Sequence, residues 1–286
     1  MKWPEYITKE KLDHFISEAI REDIGDGDYS TLASIPSDTY QQAQLIVKED
    51  CILAGIDLAS EIFRYYDKEL KMEVRMPDGA PARVGDIAFT VSGNARSILT
   101  MERLALNCMQ RMSGIASNAH EAAQLISKTK TKILDTRKTT PNFRICEKWA
   151  VYIGGGVNHR YGLFDMIMLK DNHVDYAGSI TKAVESTVAY LKNNNLSLKI
   201  EVETRNIEEV KEALSTNGID IIMLDNMSIE TMTEAVKLID GKVKTEASGN
   251  ITTKTIVDVA QTGVDYISSG AIIYDAHTKD MSLKAF

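Results

Sequence analysis

The residues best suited to chemistry crowd into one stretch, 134 to 173, which reads LDTRKTTPNFRICEKWAVYIGGGVNHRYGLFDMIMLKDNH. Two apolar runs, one ending at Leu134 and one at Met166-Ile167-Met168-Leu169, have the look of buried strands. Each is followed at once by charge: Asp135-Thr136-Arg137-Lys138 after the first, Lys170-Asp171-Asn172-His173 after the second. Between them Gly154-Gly155-Gly156 allows close backbone approach and leads into Val157-Asn158-His159-Arg160. If the two strands are neighbours in a parallel sheet, Arg137, Lys138, His159, Arg160 and Lys170 converge at its carboxyl edge, where α/β sheets and barrels hold ligands. Such a cluster asks for a polyanion.

The elements that must position these groups follow a regular beat. Apolar runs at 131–134, 166–169, 198–203, 219–224, 243–247 and 264–268 alternate with helix-length polar segments, among them 179–193, 207–216, 228–239 and 252–262. Ser228 and Thr252 are candidate helix caps. The spacing fits successive βα units. Six strands fall short of the usual eight, so the fold class is α/β, an incomplete parallel α/β barrel, with a smaller N-terminal α+β domain before it.

The residues just past each strand carry the chemistry. Glu203 and Asp225 end neighbouring runs, IEVE and IIMLDN, and two such carboxylates can hold a divalent cation or sugar hydroxyls, or stabilise positive charge developing on a sugar ring. Glu201 lies on the same strand face as Glu203, so alternation does not choose between them. Ser248-Gly249-Asn250 and Ser269-Gly270-Ala271 come after the last two strands as short turns that present backbone N–H groups, as phosphate-binding barrel loops do. The same residues admit other readings: acids simply paired to basic neighbours, a Schiff-base aldolase using Lys138 or Lys170, or a module that binds a phosphorylated metabolite without turning it over.

The N-terminal part reads as packing rather than catalysis. A helix is expected over 11–23, stopped by Gly25 and Gly27, with strands at 42–47, 70–76 and 87–92 and a helix at 56–66. Asp26-Gly27-Asp28 has metal-loop chemistry but lacks the other oxygen ligands of a calcium loop. Residues 95–128 read as two helices broken at Ser113-Gly114, with Arg103 and Arg111 standing off an apolar stripe.

A chain of 286 residues, 44% hydrophobic, can bury a sizeable core. Its net charge of −8 argues against nucleic acid or an anionic membrane as partner, and points to a small anion held locally. No run of about 18 apolar residues occurs and MKWPEYITKEKLDHF lacks a secretory h-region, so a cytoplasmic protein is expected. Cys51, Cys108 and Cys146 are far apart, which argues for reduced thiols rather than a zinc or disulfide framework.

DTRKTTP, GGGVNHR and LKDNH, in this order and spacing, resemble the signature of the quinolinate phosphoribosyltransferases, and the likeness runs from Glu22-Asp23-Ile24-Gly25-Asp26-Gly27-Asp28 to Ser268-Ser269-Gly270. The resemblance implies phosphoribosyl transfer from phosphoribosyl pyrophosphate to quinolinate with decarboxylation, and Mg2+ with the sugar donor. It implies an N-terminal domain over 1–114, an open barrel over 115–270, and a tail, 271–286, packing back on the first domain. Glu102-Arg103-Leu104-Ala105-Leu106-Asn107 matches a segment whose arginine reaches the partner subunit's site, which implies at least a homodimer. Thr136, Arg137, Lys138, His159, Arg160 and Lys170 would then serve quinolinate and the pyrophosphate, with Lys138, Lys170, Glu203 and Asp225 as the catalytic set. Glu203 and Asp225 would take the ribose and the metal, Ser248, Gly249, Asn250, Ser269, Gly270 and Ala271 the 5-phosphate. His159 either donates a hydrogen bond to substrate or locks its loop. A related protein associated with molybdate transport shares much of this motif set. One departure stands out: after TTP the family usually has Gly-Leu-Arg, and here it is Asn142-Phe143-Arg144. Asn is the next best residue for a left-handed backbone.

Overall fold

The computed structural model describes residues 3–286 and resolves into two compact units. The first comprises residues up to His120, Thr139–Gly155 and Ile272–Phe286; the second comprises Glu121–Lys138 and Gly156–Ala271.

In the first unit, Thr8 caps the Lys9–Ile24 helix by accepting the Lys11 N–H, and Gly25, at φ 55°, ends it. Leu12 and Ile16 are its buried contacts. Asp28, of the Asp26-Gly27-Asp28 turn, caps the Tyr29–Ser34 helix, and its other oxygen accepts the Thr100 hydroxyl. A four-stranded antiparallel sheet runs in the order Met281–Ala285, Tyr40–Val47, Ile87–Asn94, Lys71–Val74, with inward residues Leu45, Val47, Phe89 and Val91 fully buried.

Residues 95–128 are not two helices. One helix, Ala95–Leu125, runs through Ser113-Gly114 without a break. Gly114 is there for packing: a Cβ on it would lie 2.0 Å from the His277 carbonyl oxygen. The Ser113 hydroxyl accepts the Ala54 N–H and donates to the Ala54 carbonyl. Residues 139–155 also depart from the boundary at 114, since they pack with the first unit. Their helix, Arg144–Ile153, is buried on almost every side, with Trp149 against Trp3 and Phe143 against Phe15.

The second unit is built on a parallel sheet of six strands in the order Lys132–Leu134, Tyr266–Ser268, Lys244–Ser248, Ile221–Asp225, Ile200–Thr204, Ile167–Leu169. Lys132–Leu134, the first of these strands in sequence, pairs with Tyr266–Ser268, the last in sequence, so the order is that of a barrel. Only the seam between Lys132–Leu134 and Ile167–Leu169 lacks a ladder, and there the chain makes one bridge, Leu134 to Val157. The open α/β barrel with a separate smaller N-terminal fold is therefore the architecture observed. Ser179, Asn206 and Ser228 cap the helices Ile180–Asn193, Ile207–Ser215 and Ile229–Ile239 through their side chains. Thr252 does not cap: its N–H donates to Thr255 Oγ1, the threonines bond each other, and the helix begins later, at Ile256–Gln261.

One buried acid in the first unit makes folding depend on pH. Gly55 gives the Ile56–Tyr66 helix no side-chain cap, and Asp78, from a distant turn, accepts the Ile56 and Asp57 N–H groups instead. Burial raises its carboxyl from 3.8 to about 6. A raised carboxyl binds a proton in the folded state that the unfolded chain has released, so its contribution is full below about pH 4 and is lost as pH rises through 6. The unfolding free energy of wild type, measured relative to Asp78→Asn by urea titration, should therefore fall by about 2 kcal/mol between pH 4 and pH 8. A difference that is flat with pH would show that the carboxyl stays ionised.

Candidate active site

Every strand of the barrel ends in a group that differs from the core behind it, and neighbouring strand ends are in register. Ser248 pairs with Asp225, and Glu203 pairs with Met223, two residues before Asp225. Val202 and Leu224 face the opposite way and are fully buried, which leaves Glu203 and Asp225 half-buried on the inner side. Burial raises the Glu203 carboxyl; Asp225 raises it further, and Lys170 lowers it. These three groups share one neighbourhood. Lys170 starts the Asp171–Ala177 helix, where its N–H donates to His173 Nδ1 at 3.0 Å, so His173 fixes the turn that carries the lysine.

The basic side of the site comes from the loop 156–166. Asp135, fully buried, accepts the His159 N–H at 2.8 Å and the Asn158 side-chain amide at 2.6 Å, and its own N–H donates to the Val157 carbonyl. That clamp aims His159 inward, where Nε2 lies 2.8 Å from Glu201 Oε2. Arg160 comes next, donating to the Met166 carbonyl at 3.3 Å. Burial first, then the positive charge of Arg137, hold its guanidinium below the usual arginine range, and Glu201 opposes both. Two guanidinium groups that repel one another while partly buried form a ready site for a carboxylate or phosphate. Thr136 accepts the Lys138 N–H in a tight turn, with Arg137 half-buried and Lys138 exposed. Lys170 is exposed too, so neither lysine has the apolar enclosure that activates a Schiff-base amine.

The phosphate-type loops are shaped by strain. Gly249 has φ 98° and Asn250 φ 49°, and among the described residues no acceptor takes either backbone N–H. A Cβ at Gly249 would lie 2.2 Å from Asn226 Oδ1, and Asn226, itself at φ 52°, ties the two loops together. Its N–H donates to the Ser248 carbonyl, its amide donates to Asp225 Oδ2, and its Oδ1 accepts from Asn250. At the last strand the Ser269 N–H donates to the Leu134 carbonyl, Gly270 is buried, and Ala271 opens the short Ala271–Tyr274 helix. Arg103 belongs to the other compact unit, exposed on the Ala95–Leu125 helix.

Glu246, Asp135, Asn158 and Asn226 were not singled out from sequence. Glu246 had a signal: it lies two residues before Ser248 in KTEAS, hence on the inward face. Glu201, left open beside Glu203, is fully buried and bonded to His159. In the first unit Glu147, also fully buried, takes the Thr140 N–H and hydroxyl together with Arg111, which anchors the TTP turn.

An open parallel barrel that gathers guanidinium groups, paired acids and glycine turns at its carboxyl edge belongs to the class of α/β-barrel enzymes acting on anionic small molecules. Family comparison narrows this: residues 28–113 match the quinolinate phosphoribosyl transferase N-terminal domain and residues 115–284 the C-terminal domain. The chain belongs to the quinolinate phosphoribosyltransferase family. It is 46% identical, over 99% of its length and 85% of the relative's, to a chloroplastic nicotinate-nucleotide pyrophosphorylase [carboxylating] of Arabidopsis thaliana. A probable nicotinate-nucleotide pyrophosphorylase of Synechocystis is 42% identical over 96% of this chain and 92% of its own. The solved nicotinate-nucleotide pyrophosphorylase of Francisella tularensis superposes with a TM-score of 0.90 at 40% identity, covering 98% of both chains.

The departure after TTP has a defined backbone. Asn142 adopts φ 62°, the left-handed region that glycine occupies most easily. Asn142→Gly should leave the melting temperature unchanged or slightly higher, whereas Asn142→Val should cost about 1–2 kcal/mol by thermal unfolding. Equal stability of the two variants would show that the loop does not enforce this conformation.

Proposed function

We propose that this chain joins quinolinate to phosphoribosyl pyrophosphate, releasing pyrophosphate and carbon dioxide and leaving nicotinate mononucleotide. The observation that carries the reading is the meeting of Arg137, Arg160 and Lys170 with Glu201, Glu203 and Asp225 at one barrel edge. A dicarboxylate and a sugar diphosphate both need cations, and a ribosyl centre that turns positive as pyrophosphate leaves needs acids.

In the proposed reaction the pyridine nitrogen forms a bond to the anomeric carbon while the bond to pyrophosphate breaks, and the electron pair leaves on the phosphate oxygen. Arg137, His159 and Arg160 orient the two carboxylates; Glu203 and Asp225 face the ribosyl ring; Lys138 and Lys170 stabilise the departing charge. With its nitrogen alkylated, the ring accepts the electron pair released when the 2-carboxylate leaves as carbon dioxide, and a solvent proton then takes its place. No covalent nucleophile is needed. Thr136, Ser248, Gly249, Asn250, Ser269, Gly270 and Ala271 complete the substrate cradle. The unclaimed N–H groups of Gly249 and Asn250 fit a 5-phosphate.

Glu203 and Asp225, half-buried oxygen donors that act on one another, suit a hard cation such as Mg2+. When bound it would neutralise pyrophosphate charge. Arg103, exposed on its helix, is assigned to the partner's site in a homodimer. The proposed setting is cytoplasmic; among the described residues no helix is long and apolar enough to cross a membrane.

One assay with quinolinate, phosphoribosyl pyrophosphate and Mg2+, following pyrophosphate and carbon dioxide together, should show equal release of both. Pyrophosphate without carbon dioxide, or neither, would contradict the reaction. Arg160→Ala should weaken quinolinate binding by roughly 2 to 5 kcal/mol, the cost of removing one partner of a buried charged pair; unchanged turnover in Arg137→Ala and Arg160→Ala would remove them from the site. Mixing Arg103→Ala and Arg160→Ala proteins under conditions of subunit exchange should restore activity that neither has alone. No restoration would mean that Arg103 serves its own chain.

A further inference from the structure

The reaction proposed above leaves one costly feature unused. Glu246 sits in the middle of the Lys244–Ser248 strand, level with Met223 and Tyr266 on the flanking strands, and is 1% exposed. An acid so deeply buried is expensive unless its oxygens find partners. Glu201, itself fully buried, is its neighbour there, with ligand atoms of the two acids and His159 all within 4.8 Å of one another, and among the described residues the Glu246 carboxyl takes no hydrogen bond at Oε2. Its Oε2 lies 3.4 Å from His159 Nε2, at ion-pair distance. Burial raises both carboxyl groups, and for Glu246 the Glu201 charge adds to the rise while His159 opposes it. Glu246 has too little exposed surface to touch a substrate, yet its neighbours Glu201, His159 and Ser268 adjoin groups that do so in the proposed reaction. Glu201 stands two residues before Glu203, His159 immediately precedes Arg160, and Ser268 precedes Ser269-Gly270.

We propose that Glu246 is a positioning residue, a buried brace that holds Glu201 against His159 and so fixes the direction in which His159 and Arg160 meet the anionic acceptor. The inference rests on the proposed function for the identity of that acceptor. The same three side chains would also suit a cation by type, since their ligand atoms lie within 4.8 Å of one another. Geometry favours the brace: the 2.8 Å between His159 Nε2 and Glu201 Oε2 is a hydrogen bond, shorter than the roughly 3.3 Å that separates two ligands on one tetrahedral zinc with bonds of about 2.0 Å.

The test compares Glu246→Gln, Glu246→Asp and Glu246→Ala in the full chain with wild type, measuring kcat, KM for each substrate, melting temperature and bound metal. Gln keeps the length and can donate its amide to Glu201, so it should stay within about 3-fold of wild type in every kinetic constant. Ala, and to a smaller degree Asp, should raise the quinolinate KM at least about 10-fold, the effect of one lost hydrogen bond to a charged group, while the phosphoribosyl pyrophosphate KM moves less. If Ala does not fold, Asp carries the comparison. A lowered melting temperature with unchanged KM in folded Ala or Asp protein would overturn the brace, as would Gln failing as badly as Ala. So would stoichiometric zinc in wild type that is lost in Glu246→Ala. Absence of any turnover by wild type would instead count against the function beneath it.

Discussion

Charge at the carboxyl end of a buried parallel strand is the constraint on which the rest of this structure depends. Each strand is short, three to five residues, and acids at strand ends such as Glu203 and Asp225 are still half-buried in protein. Groups placed there keep strong fields because water does not fully screen them. Arg160 is held below its usual range by burial and by Arg137, while Glu203 is held above its own by burial and by Asp225. Like charges are thus forced together in two adjoining patches, and each patch loses its repulsion when a ligand of opposite sign arrives.

Supporting interactions keep these patches from collapsing onto one another. Asp135 fixes the backbone of His159, Asn226 ties Asp225 to the Ser248-Gly249-Asn250 turn, and His173 holds the turn at Lys170. All three use short, directional hydrogen bonds to backbone or amide groups, which restrict geometry without cancelling the charges of the ligand-facing side chains. Glu147 does the same for the TTP turn in the first unit, and its own charge is met by Arg111.

Much of this was legible in the sequence because the barrel writes its pattern locally. A run such as IIMLDN declares strand, edge and functional residue within six positions, and the Ser228 cap was visible for the same reason. The features that escaped depend on contacts distant in sequence. Gly114 reads as a helix breaker until His277 is seen to press against it, and residues 139–155 read as barrel until Trp3 and Phe15 are found packed on Trp149 and Phe143. Strand alternation puts Glu246 of KTEAS on the face of Ser248, but its burial beside Glu201 and His159 depends on strands far away in sequence. Asn142 was readable, since the left-handed backbone it was expected to tolerate is the one it adopts.

In the proposed function, adjacent guanidinium groups at this edge recognise two carboxylates on one small ring. Calorimetric titration of the wild-type chain with quinolinate and with nicotinate, which lacks the 2-carboxylate, tests that recognition most directly. Quinolinate should bind at least about 10-fold more tightly, because one further charge-assisted contact is worth about 1.5 kcal/mol or more. Equal affinities, or no heat with either ligand, would contradict it.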